Sequence, residues 1–458
     1  MFKKGSLIGV LIFGFFFGAG NLIFPPALGA LSGTNYLPAI AGFVLSGVGI
    51  AVLALIVGAL NPKGYRYELE QKISPIFATV FLVALYLAIG PFFAIPRTAS
   101  TSFDVGIKPL LPAEWAGIGL PIFTCLYFLA AYLISLNPTK VLDRIGRVLT
   151  PIFAGLIVLL VVLGISRYGS TDVQTPVAAY ASNPFGTGFL EGYNTLDALA
   201  SVAFSVVIVH SMRQLGFSSK KEYISIVWLV GLVVALLFSV LYLGLGFLGN
   251  HFPVPADVMS SDVNKGVYII SQATQQIFGP AGQFFLAIMV VVTCFTTTVG
   301  LIVSLSEFFH ERFEWVTYKP CVTAFTLVGF AIANMGLNNI IQFSVPVLQI
   351  LYPVTIVFVA ILMLNKVLPL SKMGMQLTIG FVTVISLATS FAGILKWGLL
   401  TNLINTLPFA AESLPWLVPA VVGLVLSIFL PDKMTSEDAD QEIFEEDTAE
   451  GHDLFDLD

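Results

Sequence analysis

Gly14-Phe15-Phe16-Phe17-Gly18-Ala19-Gly20-Asn21-Leu22-Ile23-Phe24-Pro25-Pro26 decides how this chain is read. The stretch lies inside the first apolar segment, where an uninterrupted membrane helix would run from about Gly5 to Leu31. Three glycines and an asparagine fall mid-segment, and two prolines follow at once. Pro25 and Pro26 have no amide donor, and glycine leaves helical dihedrals at little cost. In lipid, freed backbone groups persist only where protein, water or a ligand satisfies them. A break at this depth therefore marks a site.

The rest of the composition puts that segment in a bilayer. Of 458 residues, 57% are hydrophobic and 10% charged, with a mean hydropathy of +0.92. Soluble domains carry about a quarter charged residues, so the chain reads as an integral membrane protein. The first segment is too long for a cleavable leader and lacks a small-residue cleavage site. Cys125, Cys294 and Cys321 are too scattered for a disulfide framework or a metal site and read as small apolar fillers. The net charge of −6 misleads, because twelve of the 27 acids lie between Asp432 and Asp458 beside a single lysine. Residues 431–458 thus read as a solvated, disordered acidic tail on a basic membrane body, with a basic partner for it left open.

Apolar runs long enough to span fall near 5–31, 37–60, 76–99, 117–136, 147–166, 193–213, 223–249, 281–308, 320–335, 339–365, 375–395 and 413–430. Joining alternate loops places sixteen lysines and arginines on one side and five on the other, among them Arg97. By the positive-inside rule both termini are cytoplasmic and the twelve spans form an even set. Within external loop 250–280, Val267–Phe278 has the pattern of a short amphipathic helix, a lid or a plain connector.

Spans one to five would start at the cytoplasm and spans six to ten outside, the arrangement of an inverted repeat. Its units would be 1–166 and 193–365, followed by an appended pair over 375–430. The counterpart of the broken first span is then Gly192-Tyr-Asn-Thr-Leu-Asp-Ala-Leu-Ala-Ser-Val-Ala-Phe204, which places Asn194, Thr195, Asp197 and Ser201 in a membrane segment. Two polar, interrupted segments at corresponding positions point to a transporter's binding site. Asp197 is costly at this depth. It suits a substrate ammonium, a cation or a coupling proton, or is a paired structural acid.

In span eight, Thr293, Thr296, Thr297 and Thr298 offer hydroxyls of the kind that hard cations prefer, although such hydroxyls also bond back to their own helix. Tyr86 in span three offers a phenol able to bond a carboxylate or carbonyl, and packing explains it nearly as well. Arg97, near the outer end of span three, could attract anionic groups but reads more readily as snorkelling to the surface, and Glu191 reads as interfacial. No P-loop, GxGxxG, HExxH or GxSxG sequence is present.

Two stretches, Phe17–Pro26 and Ile89-Gly-Pro-Phe-Phe-Ala-Ile-Pro-Arg-Thr-Ala99, closely resemble the branched-chain amino acid:cation symporter family (BrnQ type), and Tyr193–Ala200 resembles its sixth span. The resemblance implies an all-α membrane protein of twelve helices with the LeuT-like 5+5 inverted fold, discontinuous in helices 1 and 6. It also implies a cell-membrane importer of leucine, isoleucine and valine coupled to Na⁺ or H⁺, with no cofactor. In this family group the amides of Ala19 and Gly20 would receive the substrate carboxylate, with Asn21 on the substrate or a cation. The carbonyls of Asn194 and Thr195 would receive the ammonium. Gly14 and Phe17 would give carbonyls to a cation held by Thr296 and Thr297, or by Thr298 after a one-residue slip. Asp197 stands where those relatives carry a small hydroxyl residue, so its role is not inherited.

A pocket of Ala, Val, Phe and Leu separates the three aliphatic substrates weakly, since one methylene is worth roughly 1–3 kcal/mol. One protein for all three is the expectation. The rivals are a uniporter or exchanger without a coupling ion, a channel, a sensor and an intramembrane enzyme. The spans offer no continuous polar pore for a channel and no catalytic constellation for an enzyme.

Overall fold

The computed structural model describes residues 2–61, 64–137, 140–203, 220–313 and 315–434. Residues 204–219, the later part of the expected sixth span, and 435–458, most of the expected tail, lie outside them. The described part is almost wholly helical. It contains seven helices long and apolar enough to cross a membrane, and four shorter apolar ones.

The first span is two helices, α1 (Phe2–Phe16) and α2 (Ala19–Ser32), parted at Phe17 and Gly18. Pro25 and Pro26 do not end the helix as their sequence suggested, because α2 runs through them. What they do is withhold the donors that the carbonyls of Asn21 and Leu22 would otherwise meet. The second span is α3 (Tyr36–Val44), a wide π turn at Leu45–Ile50, and α4 (Ala51–Ala59). A polar helix, α5 (Gly64–Lys72), leads to the third span.

That third span is also interrupted. α6 (Pro75–Leu87) gives way to a π turn at Ala88–Phe92, where Gly90 leaves helical geometry at φ −102°, ψ −121° before Pro91. α7 (Ala94–Thr101) then sets off in a new direction. Next come α8 (Ala116–Ser135), α9 (Lys140–Tyr168), the short α10 (Ala178–Ser182) and α11 (Pro184–Tyr193). Residues 194–196 are not helical, and α12 resumes at residue 197 and is described to 203. Leu196 sits there at φ 68°. A left-handed leucine costs on the order of 1–3 kcal/mol and persists where its surroundings impose it.

The remainder comprises α13 (Lys220–His251), α14 (Ala256–Ser260), α15 (Lys265–Arg312), α16 (Tyr318–Ala333), α17 (Leu337–Asn365), α18 (Lys372–Leu395), α19 (Gly398–Asn405) and α20 (Leu417–Phe429). The amphipathic stretch expected at 267–278 is the first part of α15, set off from the rest by a kink at Gly279–Pro280. The first residues of the expected tail are not free. β2 (Lys433–Met434) pairs antiparallel with β1 (Leu370–Ser371), and Asn365 donates to the Met434 carbonyl at 3.0 Å.

Two faces of α13 show why the bundle sits in lipid. Leu232, Leu236 and Val240 are exposed at helical spacing, whereas Val234, Leu241, Tyr242 and Leu245 are buried. On its inner face α13 meets α2 with almost no clearance: a Cβ at Gly249 would overlap the Pro26 carbonyl oxygen. α15 closes on α2 in the same way, since a Cβ at Gly266 would overlap the Ile23 carbonyl oxygen. Small residues replace the missing hydrophobic drive between membrane helices by letting their backbones touch.

Candidate functional site

The two interruptions meet. Asn21, in the first turn of α2, turns its side chain back so that Oδ1 accepts from the Gly18 amide at 3.0 Å. This fixes the side-chain amide and aims Nδ2 away from the helix. Nδ2 donates to Asp197 Oδ2 at 2.8 Å and to the Tyr242 hydroxyl at 2.5 Å. Tyr242 in turn donates to Asp197 Oδ2 at 2.7 Å. All three residues are buried. Asp197 opens α12, where the positive end of the helix dipole favours a carboxylate. Thr195 supports the turn through its hydroxyl, which donates to the Gly192 carbonyl at 2.9 Å and accepts from the Asp197 amide at 3.4 Å.

Arg97 completes the centre. The kink at Gly90–Pro91 brings α7 to the interior, and Arg97 is only 4% exposed, so it does not snorkel to the surface as its sequence position suggested. Nη1 donates to the Asn194 carbonyl at 2.5 Å, and Nη2 reaches the Thr195 carbonyl at 3.4 Å. These are carbonyls that the end of α11 leaves without helical partners, at the negative end of its dipole. The Phe24 ring lies 5.4 Å from the guanidinium carbon. Asn194 does not face Arg97 with its side chain, which donates to Glu191 at 3.0 Å, so Glu191 belongs to this cluster and not merely to the interface.

Asp197 also borders a narrow recess between α1, α4 and α13, with about 10 Å³ of free space, room for roughly one water. Its wall is apolar, with Phe16, Val48, Leu55, Val234 and Phe238, and Ser201 stands beside the acid.

The other predicted residues are placed as follows. Ala19 and Gly20 form the first turn of α2, and a Cβ on Gly20 would lie 3.0 Å from Arg97 Nη2. The hydroxyls of Thr296 and Thr297 both donate to the Thr293 carbonyl, at 2.9 and 3.1 Å, while the Thr293 hydroxyl is buried without a partner. The Thr298 hydroxyl is engaged elsewhere, at 2.6 Å from that of Thr98, 2.8 Å from that of Tyr127 and 3.0 Å from the Cys294 carbonyl. Phe17 is fully buried and packs on Phe13 and Phe153. No hydrogen bond joins Gly14 or Phe17 to the threonines among the described residues. Tyr86 is not brought to Asp197; its ring stacks on Phe308 at 3.9 Å.

Tyr242 is the residue that sequence reasoning missed, and Arg97 the one whose placement it preferred at the surface. Arg97 carried a signal, since it follows Gly90-Pro91 by a few residues and a kink there redirects it. Tyr242 carried none, being one aromatic in an apolar run. Tyr193 and Tyr352 are a further pair, stacked at 4.1 Å with both hydroxyls buried and unpartnered.

Known proteins give the family and the fold. Residues 1–434 match the family model described as Branched-chain amino acid transport protein. A relative in Staphylococcus aureus (strain USA300), carrying the provisional name branched-chain amino acid carrier protein, is 41% identical over 434 residues, which are 93% of this chain and 96% of that one. One in Staphylococcus saprophyticus is 39% identical over the same shares. The backbone resembles that of MhsT, solved in complex with L-phenylalanine, with a TM-score of 0.57 at 15% identity over 91% of this chain and 98% of that one. It also resembles the inward-facing conformation of Mhp1, with a TM-score of 0.53 at 14% identity over 96% and 94%. Those identities speak for the fold alone. With the family match running from residue 1 to 434, the chain belongs to the branched-chain amino acid transport proteins of BrnQ type, multi-pass membrane transporters of LeuT-like fold and not enzymes.

Proposed function

We propose that this protein is a secondary active symporter that imports leucine, isoleucine and valine with Na⁺ or H⁺ by alternating access. The observation that carries the reading is the Asn21–Asp197 bond, which joins the two chain breaks around a buried acid beside an apolar recess. Intramembrane acids facing a cavity are the usual mark of a transport pathway. The relatives' names, branched-chain amino acid carriers, give the substrate class.

In this reading the chain has twelve spans with both ends in the cytoplasm. Residues 1–166 and 193–365 form the inverted repeats, 375–430 the appended pair and 431–458 the tail. Substrate binds between the breaks, among Ala19, Gly20, Asn21, Asn194, Thr195 and Asp197. The cation binds near Thr293, Thr296 and Thr297 with carbonyls of Gly14 and Phe17, because a hydroxyl that donates to its own helix keeps its oxygen lone pairs for an ion. Tyr86 is left to packing. Cation binding orders the broken spans, the loaded protein closes, and release inward follows the ion gradient.

Uptake of labelled leucine into proteoliposomes, with the Na⁺ and pH gradients imposed separately, tests the reading. Accumulation driven by one of them supports symport. Equilibration indifferent to both would leave a uniporter.

A further inference from the structure

Arg97 is a buried cation without a direct ion pair among the described residues. Its hydrogen-bond partners are two neutral carbonyls, Nε has none, and Asp197 acts on it only from a distance. Removing a charge from water without pairing it costs several kcal/mol. The position is also electrostatically one-sided. Nη2 lies beside Gly20 in the first turn of α2, where orphan amides and the helix dipole already present positive charge. Two positive features thus face one another across a few ångströms, and an anion between them would relieve both.

Asp197 is the complementary case. It is 4% exposed, and both side-chain donors to it, Asn21 and Tyr242, are neutral and end on Oδ2. The residue itself lines the recess between α1, α4 and α13. Arg97 and Asp197 therefore stand in one buried centre as opposite charges that do not pair with each other. The Asn194 and Thr195 carbonyls, which the family resemblance would give to a substrate ammonium, are already taken by the guanidinium.

We propose that Arg97 and Asp197 are the two ends of a zwitterion receptor: the guanidinium and the first amides of α2 receive the amino acid's carboxylate, and Asp197 receives its ammonium. A planar guanidinium suits this task, since its fork matches both carboxylate oxygens. Nε is the nitrogen without a partner, and Nη2 has a second proton beside it, while Nη1 is held on Asn194 and Nη2 reaches Thr195. No bond is made or broken. The assignment rests on the reading of the site given above as an amino acid site.

The test is equilibrium binding of labelled leucine to the purified full chain in lipid nanodiscs, with two competitors. Isoamylamine is leucine without its carboxylate, and 4-methylpentanoate is leucine without its ammonium. Arg97→Gln is expected to weaken leucine by roughly ten- to a hundredfold, the worth of a hydrogen bond to a charged group, and to leave isoamylamine where it was. Asp197→Asn is expected to do the reverse, weakening leucine and isoamylamine while sparing 4-methylpentanoate. Arg97→Lys keeps the buried charge and loses the fork. It should weaken leucine less than Arg97→Gln does, and it serves alone if the glutamine variant does not fold. Leucine affinity unchanged in Arg97→Gln or Arg97→Lys, or leucine and isoamylamine weakened equally, overturns the assignment. Wild-type protein that binds no leucine instead removes the amino acid site itself.

Discussion

Asn21 and Asp197, separated by 176 residues in the chain, are joined by a 2.8 Å hydrogen bond between the interrupted first span and the interruption before α12. Tyr242 of α13 closes the triangle on both. Three helices with no sequence proximity thus share one acceptor oxygen.

Asn21→Ala removes the donor to Asp197 and the acceptor for the Gly18 amide together. Truncating one partner of a buried, charge-assisted bond costs roughly 2–5 kcal/mol. Leucine uptake in intact cells is therefore expected to fall by at least about thirtyfold at wild-type surface expression. Uptake within a factor of two of wild type would refute the proposed role of the break.

Tyr242→Phe keeps the ring, which lies 5.1 Å from that of Phe43, and deletes one hydroxyl. The loss is a single hydrogen bond to a charged group, about 1.5–3 kcal/mol. Leucine affinity should weaken roughly tenfold or more, less than for Asn21→Ala. Calorimetry on both variants gives the ranking, and the opposite order would show that Tyr242 matters for more than its bond to the acid.

The span-eight threonines divide into two groups. Thr297→Ala is expected to raise the Na⁺ concentration for half-maximal leucine uptake several-fold if Na⁺ is the coupling ion, because its hydroxyl meets only its own helix. Thr298→Val should act on stability, since it removes a buried partner of the Tyr127 hydroxyl, whereas Thr98 keeps its bond to the Ile95 carbonyl, at about 1–3 kcal/mol. A thermal melt in nanodiscs and a Na⁺ titration separate the two effects. A Thr297→Ala protein with an unchanged Na⁺ titration would take that residue out of the cation site.

Gly266→Ala tests the packing. Its Cβ would overlap the Ile23 carbonyl, and forced overpacking costs typically 1–3 kcal/mol. A lowered melting temperature is expected, measurable by tryptophan fluorescence. An unaltered melt would mean that α15 can draw back from α2 freely.

The break in the first span, the second one near Asn194 and the buried acid were all legible, because polar residues and glycine in a hydrophobic run violate the pattern on a scale of a few residues. Arg97 was misread for a physical reason. A positive-inside count treats an arginine near a span's end as loop charge, whereas the turn at Gly90 diverts the helix before that end is reached. Pro25–Pro26 misled in the opposite direction, since a helix embedded in neighbours tolerates the loss of two donors. Tyr242 could not be found at all, because its meaning lies in a partner 221 residues away and its own surroundings are uniformly apolar.

The contact between α2 and its neighbours has a mechanical side. With the Gly249 backbone seated on Pro26 and that of Gly266 on Ile23, there is no clearance along the seam for α2 to slide over α13 or α15. In the proposed alternating-access cycle, α2 would then move together with the helices it touches rather than slide over them. The flexible joint in that lever is Phe17–Gly18, one turn from the side chain that holds the acid. In that cycle a movement at the joint would also draw Asn21 from Asp197, tying access and affinity to the same few atoms.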